Sequence, residues 1–207
     1  MAGADYLADY LIVSPDTKRA NRVPPGQHLV KDWPVLHYGK VHEVPADGWK
    51  FEITGEVEKP LTLGYAEFSA LPKVRVFSDI HCVTTWSKLD NTWEGPGTAT
   101  VAELVKIKKE AAFVIVHGAG GFTTNLLLAD FLAEDALFTF THDGEPLSAE
   151  HGAPIRLIVP QLYFWKSAKW VTGIEFSAVD RPGFWERAGY HNHGDPWTEE
   201  RRQGGRW

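Results

Sequence analysis

The stretch Phe77-Ser-Asp-Ile-His-Cys-Val-Thr-Thr-Trp-Ser87 contains Cys82, the only cysteine in this 207-residue chain. Val74 and Val76 precede it, and such β-branched residues predict a strand that ends near the cysteine. The simplest interpretation of a lone cysteine is a small buried apolar side chain. As a thiolate it would instead be a nucleophile or a soft metal ligand. The remainder of the chain has to decide between these possibilities.

Composition limits the classes of function. The formal net charge of −6 argues against a nucleic-acid partner, and no apolar run reaches the roughly 20 residues that a membrane span needs. The N-terminus lacks the basic and apolar regions of a signal peptide. Together with the single cysteine, this predicts a reducing, cytoplasmic location. The 207 residues, 43% of them hydrophobic, predict one domain with a substantial core.

The chain is predicted to fold as an α+β domain of mostly short strands and a few short helices. The βαβ alternation of a dinucleotide-binding fold is missing. The single domain is predicted to cover residues 1–207, with an irregular N-terminal arm over 1–30 and a C-terminal tail over 181–207. The local patterns predict the following: strands at 49–55, 155–159 and 171–179, a hairpin turn at Asp143-Gly144, a helix within 60–72 capped by Thr62, and a loop at 92–97.

Arg156 is the most informative basic residue. Alternation in residues 155–159 predicts that Ile155, Leu157 and Val159 share one strand face and that Arg156 lies on the other. A guanidinium between apolar neighbours is costly unless an anion pairs with it. With Lys166 and Lys169 it would form a phosphate cradle, while ordinary salt bridges to nearby acids explain the three cations equally well.

Two motifs give the chain a resemblance to a known family. Asp79-Ile-His-Cys-Val-Thr-Thr-Trp-Ser87 resembles the molybdenum-ligand motif of the sulfite oxidase superfamily. It is most similar to the branch that contains the methionine-sulfoxide reductase catalytic subunit and to small bacterial sulfite oxidase-like proteins. The segments 151–160 and 163–170 resemble the second signature of that family, in the expected order. The resemblance covers roughly residues 30–180 and implies the molybdopterin-binding fold of the sulfite oxidases.

The resemblance implies a molybdenum cofactor and a set of residues to hold it. Cys82 would be the catalytic thiolate that binds molybdenum, alongside the dithiolene sulfurs of molybdopterin. Trp86 and Trp165 are candidates to line the pocket, with a plain core role as the alternative. The residues expected to bind the cofactor are His37, Cys82, His117, His151, Arg156, Ser167, Ala168 and Lys169.

The implied activity is a two-electron, oxygen-atom-type transfer on a small sulfur- or nitrogen-oxo substrate. The arginine that precedes the early histidine in sulfite oxidases is missing before His37. Their substrate-side tyrosine is missing as well, and the nearest tyrosine is Tyr190. A separate electron-transfer protein is expected, because no second redox centre is encoded. The enzyme is also expected to be a monomer. The alternatives are a metal-free hydrolase that uses Cys82 and a histidine, and a non-catalytic module that binds a pterin or another ligand.

Overall fold

The computed structural model describes residues 11–204. The first ten residues of the predicted arm, where a signal peptide was not expected, and the last three of the predicted tail lie outside this range. Among the described residues, no helix combines the length and apolar content that crossing a bilayer requires. The elements, in chain order, are β1 (Leu11–Val13), β2 (His28–Leu29), β3 (Lys50–Gly55), β4 (Leu61–Gly64), α1 (Tyr65–Ser69), β5 (Val74–His81), β6 (Trp86–Gly95), α2 (Thr98–Ala102), β7 (Phe113–Gly118), β8 (Thr123–Leu127), α3 (Leu128–Phe131), β9 (Leu137–Thr139), β10 (Thr141–His142), β11 (Glu145–Pro146), β12 (Arg156–Ile158), β13 (Val171–Ser177) and α4 (Phe184–Arg187).

The strands form two larger sheets and one short ladder. The first sheet has the order β1-β5-β6-β10-β11, with β2 paired to β6, and the second has the order β4-β3-β13-β7-β8. The ladder pairs β12 with β9 in antiparallel fashion. This mixture of many short strands and a few short helices confirms the predicted fold class.

Strand β12 lies between two hydrophobic cores. Ile155, Leu157 and Val159 are buried in the larger core, which also covers the second sheet. Ile158 is buried in the smaller core together with Cys82. The predicted alternation is therefore confirmed, and it places Arg156 on the same side of β12 as the smaller core.

Several local predictions are confirmed. Strands β3 and β13 occupy the predicted segments. Asp143 and Gly144 have φ angles of 51° and 85°, and they connect the antiparallel strands β10 and β11. Two positive φ values are the requirement of the tight hairpin turn that this pair predicts.

Two local predictions are wrong. Thr62 does not cap a helix, since it pairs with Glu52 in the β3–β4 ladder, and Gly64 begins the short helix α1 instead. The predicted loop at 92–97 is largely the end of β6. Gly95 is the last residue of this strand. A Cβ at this position would overlap the Phe138 carbonyl oxygen, so the glycine permits a close backbone approach and does not mark a turn.

Candidate functional site

Cys82 begins the turn that joins β5 to β6. Its backbone N–H donates to the Trp86 carbonyl oxygen at 2.9 Å, and its carbonyl oxygen accepts from the Thr85 N–H at 3.0 Å. Thr85 has a φ of 77°, an uncommon conformation for a β-branched residue. The side-chain amide of Gln27 also donates to the Cys82 carbonyl oxygen at 3.0 Å. These bonds fix the position of the sulfur at the end of the strand pair.

The Cys82 thiol is buried, with 9% of the residue exposed. Burial raises the pKa of this thiol, while a hydrogen bond from Thr84 and the positive charges of Arg156 and Arg201 oppose the increase. Thr84 Oγ1 donates to Sγ at 3.1 Å. The sulfur therefore keeps its proton at neutral pH until a cation displaces it.

Arg156 is a buried cation without an acidic partner among residues 11–204. It is 2% exposed, its Nη1 donates to the His151 carbonyl oxygen at 3.0 Å, and its Nε has no hydrogen-bond partner. Its guanidinium carbon lies 4.0 Å from the centre of the Phe164 ring. Burial lowers the pKa of Arg156 to about 9, and the negative charge of a Cys82 thiolate counteracts this shift. The arrangement leaves the guanidinium in need of an anion.

Lys169 is the second cation of the site. Its Nζ donates to the Leu36 carbonyl oxygen at 2.8 Å and to the Glu150 carbonyl oxygen at 2.5 Å. Burial and the charge of Arg156 lower the pKa of Lys169 to about 7, and Glu150 opposes the shift. Arg156 thus lowers the pKa of its neighbour Lys169, and two such cations at one cavity form a site that favours a dianion.

One cavity of about 280 Å³ brings most of the predicted residues together. Both predicted wall residues, Trp86 and Trp165, line it as well. Trp86 Nε1 is buried there without a hydrogen-bond partner among the described residues. The predicted cofactor-binding residues on its wall are His37, Cys82, Arg156, Ser167, Ala168 and Lys169.

The two other predicted histidines lie outside this lining. His151 is next to it, because its ring stacks on the cavity residue Trp33 at a centroid distance of 3.8 Å. His117 is the penultimate residue of β7, and its Nε2 lies 3.6 Å from Glu175 Oε2. The structure therefore does not bring His117 to the cavity, and its cofactor role stays a prediction.

Lys166 does not join the predicted phosphate cradle. It is fully buried, and its Nζ lies 2.7 Å from Glu186 Oε1. It also donates to the Asn125 side-chain oxygen at 2.9 Å. The salt-bridge interpretation is correct for Lys166, since a buried ammonium takes the nearest carboxylate. Arg156 and Lys169 are the two predicted cradle residues that face the cavity.

Sequence reasoning missed part of the cavity wall. Trp33 and Phe122 come from irregular segments, and Trp185 and Tyr190 come from the predicted tail. The high aromatic content, with nine Trp, eleven Phe and six Tyr, was the only available signal. It could not distinguish a pocket from a core, because aromatic rings are used in both.

Comparison with known proteins finds relatives of this chain. The family model described as oxidoreductase molybdopterin binding domain matches residues 38–185. The chain is 48% identical over 184 residues to the uncharacterized oxidoreductase YuiH of Bacillus subtilis, covering 88% of this chain and 93% of that protein. It is 34% identical over 161 residues to the protein-methionine-sulfoxide reductase catalytic subunit MsrP of Campylobacter jejuni, covering 67% of this chain and 52% of that protein.

A solved structure shares the fold. The crystal structure of the sulfane dehydrogenase SoxCD from Paracoccus pantotrophus matches with a TM-score of 0.66 at 19% sequence identity. The match covers 78% of this chain and 48% of that one. At this identity the likeness concerns the fold alone.

Proposed function

The chain belongs to the family of oxidoreductase molybdopterin-binding domains, and we propose that it is a molybdenum-dependent oxidoreductase acting on a small sulfur- or nitrogen-oxo compound. The family assignment confirms the predicted resemblance, the enzyme class and molybdopterin as the cofactor. The metal ligand, the substrate and the type of transfer are our proposal.

One observation carries this proposal: a buried soft sulfur and a buried unpaired guanidinium line the same cavity. Cys82 supplies the sulfur, and Arg156 supplies a cation whose Nε lacks a hydrogen-bond partner in the part of the chain that the structure describes. A molybdenum ion requires a soft, deprotonated ligand, and the phosphate of molybdopterin requires cations. The donor set therefore fits the two chemically distinct ends of this cofactor.

The side chains have separate roles in this proposal. Arg156 and Lys169 bind the phosphate, while His37, His151, Ser167 and the backbone at Ala168 complete the cofactor pocket. The Cys82 thiol gives up its proton to bind the metal, and the hydrogen bond from Thr84 orients the sulfur. When bound, the cofactor supplies the two-electron, oxygen-atom-type redox chemistry.

The two alternatives have less support. A cysteine hydrolase needs a base within hydrogen-bond reach of the thiol, yet among residues 11–204 the hydrogen bond recorded for Cys82 Sγ comes from Thr84. The adjacent His81 directs Nδ1 to Ser87 Oγ at 2.8 Å. A non-catalytic module would hold the pterin but show no redox transition. A spectroscopic redox titration distinguishes the two cases.

Electrons are proposed to pass to or from a separate protein, with the enzyme acting as a monomer. A cytoplasmic location, expected from the single cysteine, also stays a prediction. Co-purification under mild cross-linking, gel filtration and cell fractionation test these three points in turn.

The test of the proposal is cofactor content. We expect protein from a molybdenum-cofactor-competent host to contain one molybdenum and one pterin per chain, measured by elemental analysis and by fluorescence of the oxidised pterin. Cys82→Ala should lose at least about tenfold in molybdenum occupancy, as expected when a metal loses a ligand. Wild-type protein that lacks both components would overturn the proposal, and Cys82→Ala with full metal content and activity would overturn the ligand assignment.

A further inference from the structure

The C-terminal segment 184–204 is a fixed part of the cavity rim. Arg201 Nη1 donates to the Val83 carbonyl oxygen at 2.8 Å, one residue after Cys82. Lys166 Nζ donates to the Asn192 carbonyl oxygen at 2.7 Å. Both cations are buried, so Arg201 holds this segment against the Cys82 turn and Lys166 holds it against the turn at 164–166.

Two rings of this segment, Trp185 and Tyr190, form an aromatic wall together with Trp165 from the turn at 164–166. The rings of Trp185 and Tyr190 stack at a centroid distance of 5.1 Å with an angle of 19°. Trp165 meets Tyr190 edge to face, also at 5.1 Å. All three line the cavity that contains Cys82. The family match ends at residue 185, so Tyr190 comes from a part of the chain beyond it.

The wall is held in place by the buried ion pair and by glycine. Trp165 Nε1 donates to Glu186 Oε1 at 2.9 Å, and Glu186 pairs with Lys166. A Cβ at Gly194 would lie 2.8 Å from Trp165 Cζ2, so the backbone of this glycine packs directly against the ring. Rings fixed in this way form a surface of constant shape.

This wall presents rings without charge to the cavity. Within residues 11–204, no Asp or Glu is among the lining residues, whose Lys and Arg side chains are Arg156 and Lys169. Arg156 makes cation–π contacts with Trp33 and Phe164, and Lys169 makes one with Trp170. None of these rings belongs to the aromatic wall. Arg202 lies over Tyr190 at 5.2 Å, but it is exposed and outside the cavity lining.

We propose that the aromatic wall makes the enzyme selective for uncharged oxo compounds with an aromatic group beside the oxo centre, and unfavourable to small anions such as sulfite. The inference rests on the proposed function, in which the cofactor phosphate occupies Arg156 and Lys169. An incoming anion would then gain no ion pair from the wall, whereas an aromatic ring would stack on it.

The test uses the molybdenum-loaded enzyme with methyl phenyl sulfoxide and dimethyl sulfoxide as probes. Reduced benzyl viologen supplies the electrons: the sulfoxide accepts two electrons and two protons, its S–O bond breaks, and a sulfide and water leave. We expect the KM of methyl phenyl sulfoxide to be roughly tenfold lower than that of dimethyl sulfoxide, a ratio typical of one well-stacked ring. Calorimetric titration with sulfite should show weaker binding than with methyl phenyl sulfoxide.

Variants of the aromatic wall test whether its rings cause the difference in KM between the two sulfoxides. Tyr190→Ala should raise the KM of methyl phenyl sulfoxide about five- to tenfold and that of dimethyl sulfoxide less than about twofold, because only the larger probe stacks. Tyr190→Phe keeps the ring and should keep the KM ratio. Trp185→Leu provides a second test if Tyr190→Ala loses the fold, which its melting temperature and molybdenum content will report.

The outcomes separate the two proposals. A molybdenum-loaded enzyme with equal KM values for both sulfoxides, an equal shift of both values in Tyr190→Ala, or tighter binding of sulfite overturns this inference and leaves the proposed function intact. A protein without molybdenum and pterin overturns the proposed function and this inference together.

Discussion

At the scale of single residues, the site depends on one side chain whose charge has no partner within the described chain. Arg156 is buried between aromatic rings, and its Nε makes no hydrogen bond to any residue of the described range 11–204. Such a group destabilises the folded protein unless a ligand compensates. The residue is therefore better suited to binding an anion than to stabilising the fold.

Arg156→Met should stabilise the cofactor-free protein and abolish cofactor retention. Removing a buried unsatisfied cation should raise the free energy of unfolding by about 1–3 kcal/mol. Urea unfolding of protein from a host that cannot make the cofactor measures this gain, and pterin content from a competent host measures the loss.

The matched control for this variant is Arg181→Met. Arg181 is exposed and its Nη2 pairs with Glu175 at 2.5 Å, so its removal should change the free energy of unfolding by less than about 1 kcal/mol. If Arg156→Met lowers the stability of the cofactor-free protein, the guanidinium has a stabilising role within the fold and our interpretation of it is wrong.

At the scale of elements, one buried ion pair connects the turn at 164–166 to helix α4. Lys166 Nζ and Glu186 Oε1 are 2.7 Å apart, with both side chains almost fully buried. Thr124 Oγ1 on β8 also donates to Glu186 Oε1 at 3.2 Å. The pair thus joins three elements that are distant in the sequence.

Lys166→Met should destabilise the protein by about 3–5 kcal/mol, because it leaves the Glu186 carboxylate buried without its cation. The double variant Lys166→Met/Glu186→Leu should lose less than the sum of the single losses. Urea unfolding of the wild type, Lys166→Met, Glu186→Leu and the double variant measures the coupling energy between the two side chains. Lys106→Met serves as a control, since Lys106 pairs with Glu58 at the exposed surface; similar losses in Lys106→Met and Lys166→Met would contradict the prediction.

At the scale of the whole molecule, His193 links the C-terminal segment to helix α3. Its Nε2 lies 3.1 Å from Asp130 Oδ2 on α3, and its Nδ1 lies 2.9 Å from Glu200 Oε2. His191 also approaches Glu200, at 3.3 Å. The hydrogen bond to Asp130 is the largest of the causes that raise the pKa of His193 to about 9, and burial opposes them.

The ion pairs of His193 with Asp130 and Glu200 should weaken at alkaline pH. A raised pKa means that the stabilisation is fully present below the unfolded value of about 6.5 and is lost as the pH rises through about 9. We expect the stability difference between the wild type and His193→Gln to shrink over that range by roughly 0.5–1 kcal/mol, because solvent screens this half-exposed pair. Using the difference removes the contribution of Lys169, which titrates in both proteins. A difference that stays constant from pH 6.5 to 9 would show that His193 does not carry the charge.

The sequence by itself determined those features that depend on neighbouring residues. The alternation at 155–159, the turn at Asp143-Gly144 and the cysteine at the end of β5 all follow from local periodicity and backbone preference. The motif around Cys82 also determined the family and the cofactor. These signals are readable because each is contained in about ten residues.

Only the tertiary structure decided which side chains face the cavity. Lys166 and Lys169 look equivalent in the sequence, yet one pairs with Glu186 and the other lines the pocket. Gly95 looks like a turn residue in the sequence, but the structure packs Phe138 against it. The predicted tail gave no sign that Trp185 and Tyr190 would line the cavity of Cys82. Each outcome depends on partners far away in the chain, whose positions are set by packing and burial rather than by local preference.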